Sequence, residues 1–105
     1  MFTLINASGD EVEAGERGLL LYNRGTVCDD AFDDNAAGAI CKVMGYESAA
    51  SWTSGDQDFT IQNDFEIKMD EVQCVSDDWA SCEFRTSHDC SHNEDVFLVC
   101  REGKV

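Results

Sequence analysis

The chain contains no proline and few basic residues: 7 lysines and arginines stand against 22 acids among 105 residues, a net charge of −15. Without proline, its turns depend on glycine, asparagine, aspartate and serine. The basic residues form no run that neutralises phosphates, which argues against nucleic acid as a partner. No apolar run approaches the length of a membrane span, so we expect no membrane insertion by this domain. Glycine-rich phosphate loops and CxxC pairs are also absent, which argues against nucleotide-binding enzymes and zinc ribbons.

The length and the cysteines define the class of protein. A chain of 105 residues predicts one domain, residues 1–105, with a modest core of its own. Six cysteines, an even number, predict three disulfide bonds and an oxidising, extracellular environment. Their spacing alone leaves fifteen pairings open. Asn6 begins a glycosylation sequon. The apolar start of the chain is too short for a signal peptide, so we expect a mature fragment or an expressed domain.

Apolar patterning predicts five strands and one helix. Asp33, Asp34 and Asn35 supply helix N-cap side chains, residues 36–44 continue with helix formers, and Gly45 provides the stop. A turn at residues 23–25, with glycine as the permissive residue, predicts a hairpin. The predicted strands are residues 2–5, 19–22, 26–28, 65–74 and 96–100.

The remaining segments are less regular. Residues 76–78 precede a short second helix that carries Trp79 and Cys82. Residues 47–63 and 83–93 are polar and predict long loops. Trp52 and Phe59 lie in the first of these loops, where an exposed aromatic side chain can anchor a partner. The alternative is a purely structural role, in which both rings pack in the core.

Two acidic segments next to cysteines are the candidate site. Cys28 is followed by Asp29 and Asp30 at the end of a predicted strand, and Cys90 lies shortly before Glu94. We hypothesise that a disulfide joins the two segments and that their carboxylates bind a cation. The alternative is structural: the aspartates cap turns, and Asp95 accepts backbone N–H bonds.

Other chemistries fit the sequence less well. An EF-hand starting at Asp29 is excluded because Ala31 occupies its third position. Zinc binding or a Cys/His nucleophile in residues 88–92 requires a free thiol, which an even cysteine set argues against. A glycosidase carboxylate pair requires a cleft that so small a domain is not expected to form. We therefore predict no enzymatic activity.

Several stretches in order resemble a scavenger receptor cysteine-rich domain, nearly from end to end. The resemblance implies a small disulfide-bonded α+β fold in which a curved antiparallel sheet cradles one main helix. It also implies the six-cysteine subgroup, with the pairs Cys28–Cys90, Cys41–Cys100 and Cys74–Cys82. The stretches that carry the resemblance are residues 2–6, 18–23, 25–30, 36–46, 67–74, 88–95 and 99–100.

The same resemblance implies a function. Family members that bind calcium do so with acids that match Asp29, Asp30 and Glu94, and magnesium is a possible substitute. We therefore expect an extracellular recognition domain, secreted or part of a membrane receptor, that binds a protein, a glycan or a microbial surface. The alternative is an assembly module of an extracellular or matrix protein that self-associates with calcium.

Overall fold

The computed structural model describes residues 1–102. The helix α1 spans Asp34–Val43, and short 3₁₀ turns lie at Ile61–Asp64, Trp79–Ser81 and His92–Glu94. The strands are β1 (Phe2–Ile5), β2 (Gly18–Tyr22), β3 (Gly25–Val27), β4 (Ser48–Ser54), β5 (Ile67–Cys74), β6 (Cys82–Arg85) and β7 (Val96–Arg101). No helix in this part of the chain is both long and apolar enough to span a membrane.

The strands form one curled sheet in the order β4-β7-β2-β3-β5-β6, and β1 pairs with β2 beside this path. The α+β prediction is confirmed. The sheet is mixed rather than wholly antiparallel, because β3 and β5 run parallel, with Thr26 opposite Ile67 and Val27 opposite Met69. This pairing connects a hairpin strand to one that follows more than forty residues later, so no local turn signal announces it.

The hairpin between β2 and β3 forms as predicted, but glycine does not supply its left-handed backbone. Asn23 and Arg24 do, with φ angles of 48° and 68°, which is the pattern of a two-residue type I′ turn. Gly25 is needed for space, because a Cβ there would overlap the side chain of Lys68.

The helix follows the predicted capping pattern. The Asp33 side chain accepts a hydrogen bond from the Ala36 N–H at 3.0 Å. At the other end, Gly45 has a φ of 95°, and the Tyr46 N–H donates to the Cys41 carbonyl at 3.0 Å, which forms a Schellman stop. The short second helix is the three-residue 3₁₀ turn at Trp79–Ser81, and Cys82, predicted to lie on it, instead begins β6.

Both predicted polar loops contain a strand, so the loop assignment is wrong in part. β4 lies at one edge of the sheet and pairs only with β7. Its sequence, SAASWTS, has little apolar periodicity, because an edge strand is held by backbone bonds and buries few side chains. β6 pairs with β5 at the opposite edge and starts at the Cys74–Cys82 disulfide.

The sheet is covered on both faces, which explains the continuous apolar run of β2. On one face, Leu20 packs with the buried side of α1, including Ile40. On the other, Leu19 and Leu21 pack with Phe59 and Phe97. Alternate residues of β2 therefore belong to different clusters, as the two-residue period of a strand requires.

Candidate functional site

Three disulfides connect the described part of the chain: Cys28–Cys90, Cys41–Cys100 and Cys74–Cys82. These are the pairs that the family resemblance implied. No free thiol is left in residues 1–102, which removes the Cys/His nucleophile and the thiolate zinc site. The first bond joins the two acidic segments, with Cα atoms 6.4 Å apart.

Backbone contacts reinforce that covalent link. Cys28 forms an isolated antiparallel bridge with Asp95, and the Asp29 N–H donates to the Glu94 carbonyl at 2.9 Å. The end of β3 therefore lies against the 3₁₀ turn that precedes β7. Carboxylates more than sixty positions apart in sequence meet at this junction.

Four carboxylates converge there, and we call them the Asp30 cluster: Asp29, Asp30, Asp70 and Glu94. Oxygens of Asp29, Asp30 and Glu94 lie within 4.8 Å of one another, and an oxygen of Asp30 lies within 4.8 Å of one from Asp70. Two oxygens bound to one Ca²⁺, each about 2.4 Å away, are at most about 4.8 Å apart. Asp29, Asp30 and Glu94 meet this limit together, and Asp70 meets it with Asp30, so Asp30 belongs to both groupings.

Sequence reasoning missed Asp70. The alternation of apolar and charged residues in β5 predicts a solvent-facing side chain, but Asp70 is only 3% exposed. The backbone leaves the regular strand at Glu71, whose φ is 52°, and the β5–β6 register shifts between Asp70 and Gln73. In addition, the parallel pairing lets the Cys28 N–H donate to the Met69 carbonyl at 2.8 Å, next to Asp70. A single sequence carries no clear signal for either feature.

The electrostatics of the cluster favour a bound cation. Desolvation raises the pKa of the Asp30 carboxyl above its ordinary value, and nearby negative charges raise it further. In order of effect, those charges are Asp70, Glu94, Asp29 and Asp89. A pKa raised by like charges means that the ionised cluster repels itself. A divalent cation at this place relieves that repulsion.

The structural alternative, in which Asp29 and Asp30 cap turns, is not what the structure shows, and the acid that does cap a turn is Glu94. Glu94 completes a capping box, because its Oε2 accepts the Ser91 N–H at 3.0 Å. Within residues 1–102, the carboxylates of Asp29 and Asp30 accept no backbone hydrogen bond, and they contact the disulfide sulfurs, 4.0 Å from Asp29 Oδ1 and 3.6 Å from Asp30 Oδ2. Their oxygens are available to a metal ion.

Asp95 is fully buried beneath the site. Its Oδ2 lies 2.8 Å from His92 Nδ1. Burial raises the pKa of Asp95, and hydrogen bonds to the side chains of His92 and Thr26 oppose that shift. The expected backbone N–H bonds to this carboxylate are not found within residues 1–102, so Asp95 orients the 3₁₀ turn through its contact with His92.

Ala31 follows Asp30 with a left-handed backbone, at a φ of 62°. This conformation costs a non-glycine residue about 1 kcal/mol, so we expect Ala31→Gly to stabilise the domain by roughly 0.5–1 kcal/mol. Chemical denaturation measures the change. As a matched control, Ala80→Gly removes a methyl group from an exposed residue of a 3₁₀ turn without a positive φ, and it should destabilise. Equal losses in both variants would contradict the strain at Ala31.

The two aromatic side chains proposed as ligand contacts are not exposed anchors. Phe59 is only 9% exposed and packs edge-on against Phe97, with ring centroids 4.9 Å apart. Trp52 is half-buried on β4, packs against Phe32, and donates its indole N–H to Asp34 Oδ1 at 3.0 Å. The exposure expected for Phe59 is not found, because the segment folds back over the sheet. Trp52 serves mainly to pack β4 against the start of α1.

Asn6 lies where β1 ends. Its Oδ1 accepts hydrogen bonds from the Ser8 and Asp10 N–H groups at 2.9 and 3.0 Å. The residues that follow, 7–11, are exposed. Glycosylation of Asn6 stays a prediction.

Taken together, a mixed sheet over one helix, three disulfides and an acidic cluster at the first disulfide define a small extracellular type of domain. The family model described as "Scavenger receptor cysteine-rich domain" matches residues 9–101. The chain therefore belongs to the scavenger receptor cysteine-rich family, whose domains are extracellular and disulfide-rich and are themselves non-catalytic.

Relatives of known sequence and structure agree with this assignment. Macrophage receptor MARCO of Mesocricetus auratus is 35% identical over 91 residues, which cover 81% of this chain and 18% of that protein. Lysyl oxidase homolog 2 of Gallus gallus is 39% identical over 88 residues, which cover 77% of this chain and 11% of that protein. The chain thus spans less than a fifth of these relatives.

Two crystal structures show the same fold. The dimeric form of the SRCR domain of mouse MARCO superposes with a TM-score of 0.60 at 30% identity, covering 90% of this chain and 96% of that one. The third SRCR domain of murine neurotrypsin superposes with a TM-score of 0.69 at 26% identity, covering 99% and 98%.

Proposed function

We propose that this domain is an extracellular recognition module that binds its ligands through calcium held by the Asp30 cluster. The observation that carries the proposal is the convergence of carboxylate oxygens from separate segments within the span of one calcium coordination shell. Asp29, Asp30 and Glu94 are the proposed calcium ligands. Asp70, whose carboxylate lies near that of Asp30, is a further candidate ligand. Backbone carbonyls and water complete the six to eight oxygens that calcium prefers.

Calcium is favoured over magnesium by the flexibility of the donor set. Magnesium requires near-ideal octahedral geometry and keeps much of its water, whereas calcium accepts irregular sets of carboxylates. The acids here come from three separate segments, the β3 end, the β5 bulge and the 3₁₀ turn before β7. Magnesium remains the competitor in any binding experiment.

The ligand is an anionic group of an extracellular protein, glycan or microbial surface. A domain with a net charge of −15 repels polyanions unless a cation bridges the two surfaces. Calcium coordinated by the cluster keeps open positions for a sulfate, phosphate or carboxylate of the ligand. The similarity to a macrophage receptor supports a receptor-type role.

Retention on charged supports tests this bridge. We expect the domain to bind dextran sulfate beads in calcium and to be released by chelator, because the acidic surface then faces a polyanion directly. Binding to polylysine beads should persist in chelator, since it needs no bridging ion, and should weaken in high salt. Retention on dextran sulfate that is unchanged by chelator would contradict the calcium bridge.

Assembly is the second candidate function, and the dimeric crystal form of the MARCO domain favours it. In this case calcium joins two copies of the acidic surface without a soluble ligand. Size-exclusion chromatography in calcium and in chelator distinguishes the two: recognition predicts a monomer in both buffers, and assembly predicts a larger species in calcium only.

A further inference from the structure

A polar groove of about 560 Å³ lies beside the 3₁₀ turn at Ile61–Asp64, and we call it the Gln62 groove. Its volume is in the range of roughly 300–1,000 Å³ that is typical of small-molecule sites. Its lining is rich in amide and hydroxyl side chains, namely Ser54, Gln57, Thr60, Gln62, Asn63 and Asn93. All of these except Gln62 are exposed, so Gln62 forms the floor and the others form the rim.

Gln62 is the feature of the groove that packing does not explain. The residue is 5% exposed, and its Oε1 has no hydrogen-bond partner among the described residues. A buried polar atom without a partner costs free energy, and native proteins contain few of them. An apolar residue of the same size would fill the position better. A glutamine there is explained if its amide turns toward the groove and a ligand supplies the missing hydrogen bond.

The lining is close to neutral, in contrast to the rest of the chain. Asp56 is its one carboxylate within the described residues, and Arg17 Nη1 pairs with Asp56 Oδ2 at 2.8 Å. The hydrogen bond from Arg17 lowers the pKa of Asp56, so the pair stays charged and internally balanced. On a protein with a net charge of −15, such a groove suits an uncharged ligand.

One wall of the groove, at Gly55, is already ordered without a ligand. Gly55 has a φ of 71°, and its N–H donates to the Asp95 carbonyl at 2.9 Å. A Cβ at Gly55 would lie 2.5 Å from the Asn93 carbonyl oxygen, so only glycine permits this close approach. The end of β4 is thereby fixed against the turn that carries Asn93. A rim that is already ordered loses little entropy when a ligand binds.

We propose that the Gln62 groove binds an uncharged saccharide. Sugar hydroxyls donate and accept hydrogen bonds, and the amides and hydroxyls of this lining do the same. A peptide fits less well, because Phe59 is the only large apolar residue that contributes to the groove within residues 1–102, and its ring is mostly buried. The binding goes beyond the calcium-dependent function and requires no metal ion.

Nuclear magnetic resonance titration in chelator tests the groove. The probes are the methyl glycosides of mannose, galactose and glucose, added separately to the isotopically labelled chain. We expect at least one of them to shift the side-chain amide signals of Gln62 and Asn63 with a millimolar Kd. Gln62→Met should weaken that binding at least tenfold while raising the melting temperature, because it removes the unpartnered oxygen.

Two variants make the result specific. Asn63→Ala removes an exposed rim amide and should also weaken binding, whereas Gln73→Met, on the exposed side of β5, should leave it unchanged. The proposal is overturned if none of the glycosides shifts these signals, or if Gln62→Met binds as well as wild type. It is also overturned if a glycine-serine peptide shifts them and the glycosides do not. Because chelator is present throughout, failure of the calcium site leaves the result untouched.

Discussion

Asp30→Asn should abolish the stabilisation of the domain by calcium and, at the same time, stabilise the calcium-free domain. Asp30 belongs to both groupings of cluster oxygens, so its loss removes the shared ligand. In the absence of metal, desolvation and the surrounding carboxylates make its ionised form unfavourable, as its raised pKa indicates. An amide of the same shape avoids that repulsion.

Thermal unfolding with and without calcium measures both effects. For wild type, free calcium at about a hundred times Kd contributes about 2.7 kcal/mol, which raises the Tm of a domain of this size by roughly 10 °C or more. The variant should show no calcium-dependent rise and a higher Tm than wild type in chelator. Asp10→Asn removes the same charge from an exposed position outside the cluster and should keep the full response. A normal calcium response in Asp30→Asn would remove the proposed site.

The pH dependence follows from the sign of the pKa shift. Because the folded-state pKa of Asp30 is raised, the folded protein binds this proton more tightly than the unfolded chain, and its contribution to stability falls as pH rises through that pKa. The advantage of Asp30→Asn in chelator is therefore largest at neutral pH and disappears well below the ordinary pKa of aspartate. Asp56 and Asp77 have lowered pKa values, so acid destabilises wild type and variant equally through them.

The sequence allowed most of the local structure to be predicted, because the signals for it are local. The capping side chain at Asp33 and the glycine at position 45 mark the helix, and both act as expected. β4 and β6 were missed because edge strands are held by backbone bonds that leave no apolar pattern. The parallel β3–β5 pairing was missed because it depends on residues distant in sequence.

The same contrast holds for the candidate site. Asp29, Asp30 and Glu94 were identifiable because they adjoin cysteines that the family resemblance pairs, and the structure brings their oxygens together. Asp70 was not identifiable, because its burial depends on a bulge and on the parallel pairing. Phe59 shows the opposite error. The polar residues around Phe59 suggested that its ring is exposed. In the structure this segment packs over the second face of the sheet and buries the ring.

Removing each of the two long-range disulfides in turn distinguishes effects on stability from effects on calcium binding. Cys28–Cys90 and Cys41–Cys100 connect residues 62 and 59 positions apart, so the chain-entropy model assigns each about 4 kcal/mol. We expect the Cys28→Ala/Cys90→Ala and Cys41→Ala/Cys100→Ala variants to lose similar stability in denaturation experiments. That loss is a large part of the roughly 5–15 kcal/mol that stabilises a typical domain. Both variants should therefore be studied at low temperature, with folding verified by circular dichroism.

Calcium affinity should differ between them. Cys41, on the buried side of α1, and Cys100, in β7, lie in the core. Their removal leaves the Asp30 cluster intact, so the folded protein should keep its Kd. Removal of Cys28–Cys90 leaves backbone contacts to hold Glu94 near Asp29, namely the β-bridge between residues 28 and 95 and the Asp29–Glu94 hydrogen bond. Part of the ordering cost then falls on binding, and calorimetric titration should show at least tenfold weaker calcium binding. Equal affinities in the two variants would mean that the backbone contacts alone position the site.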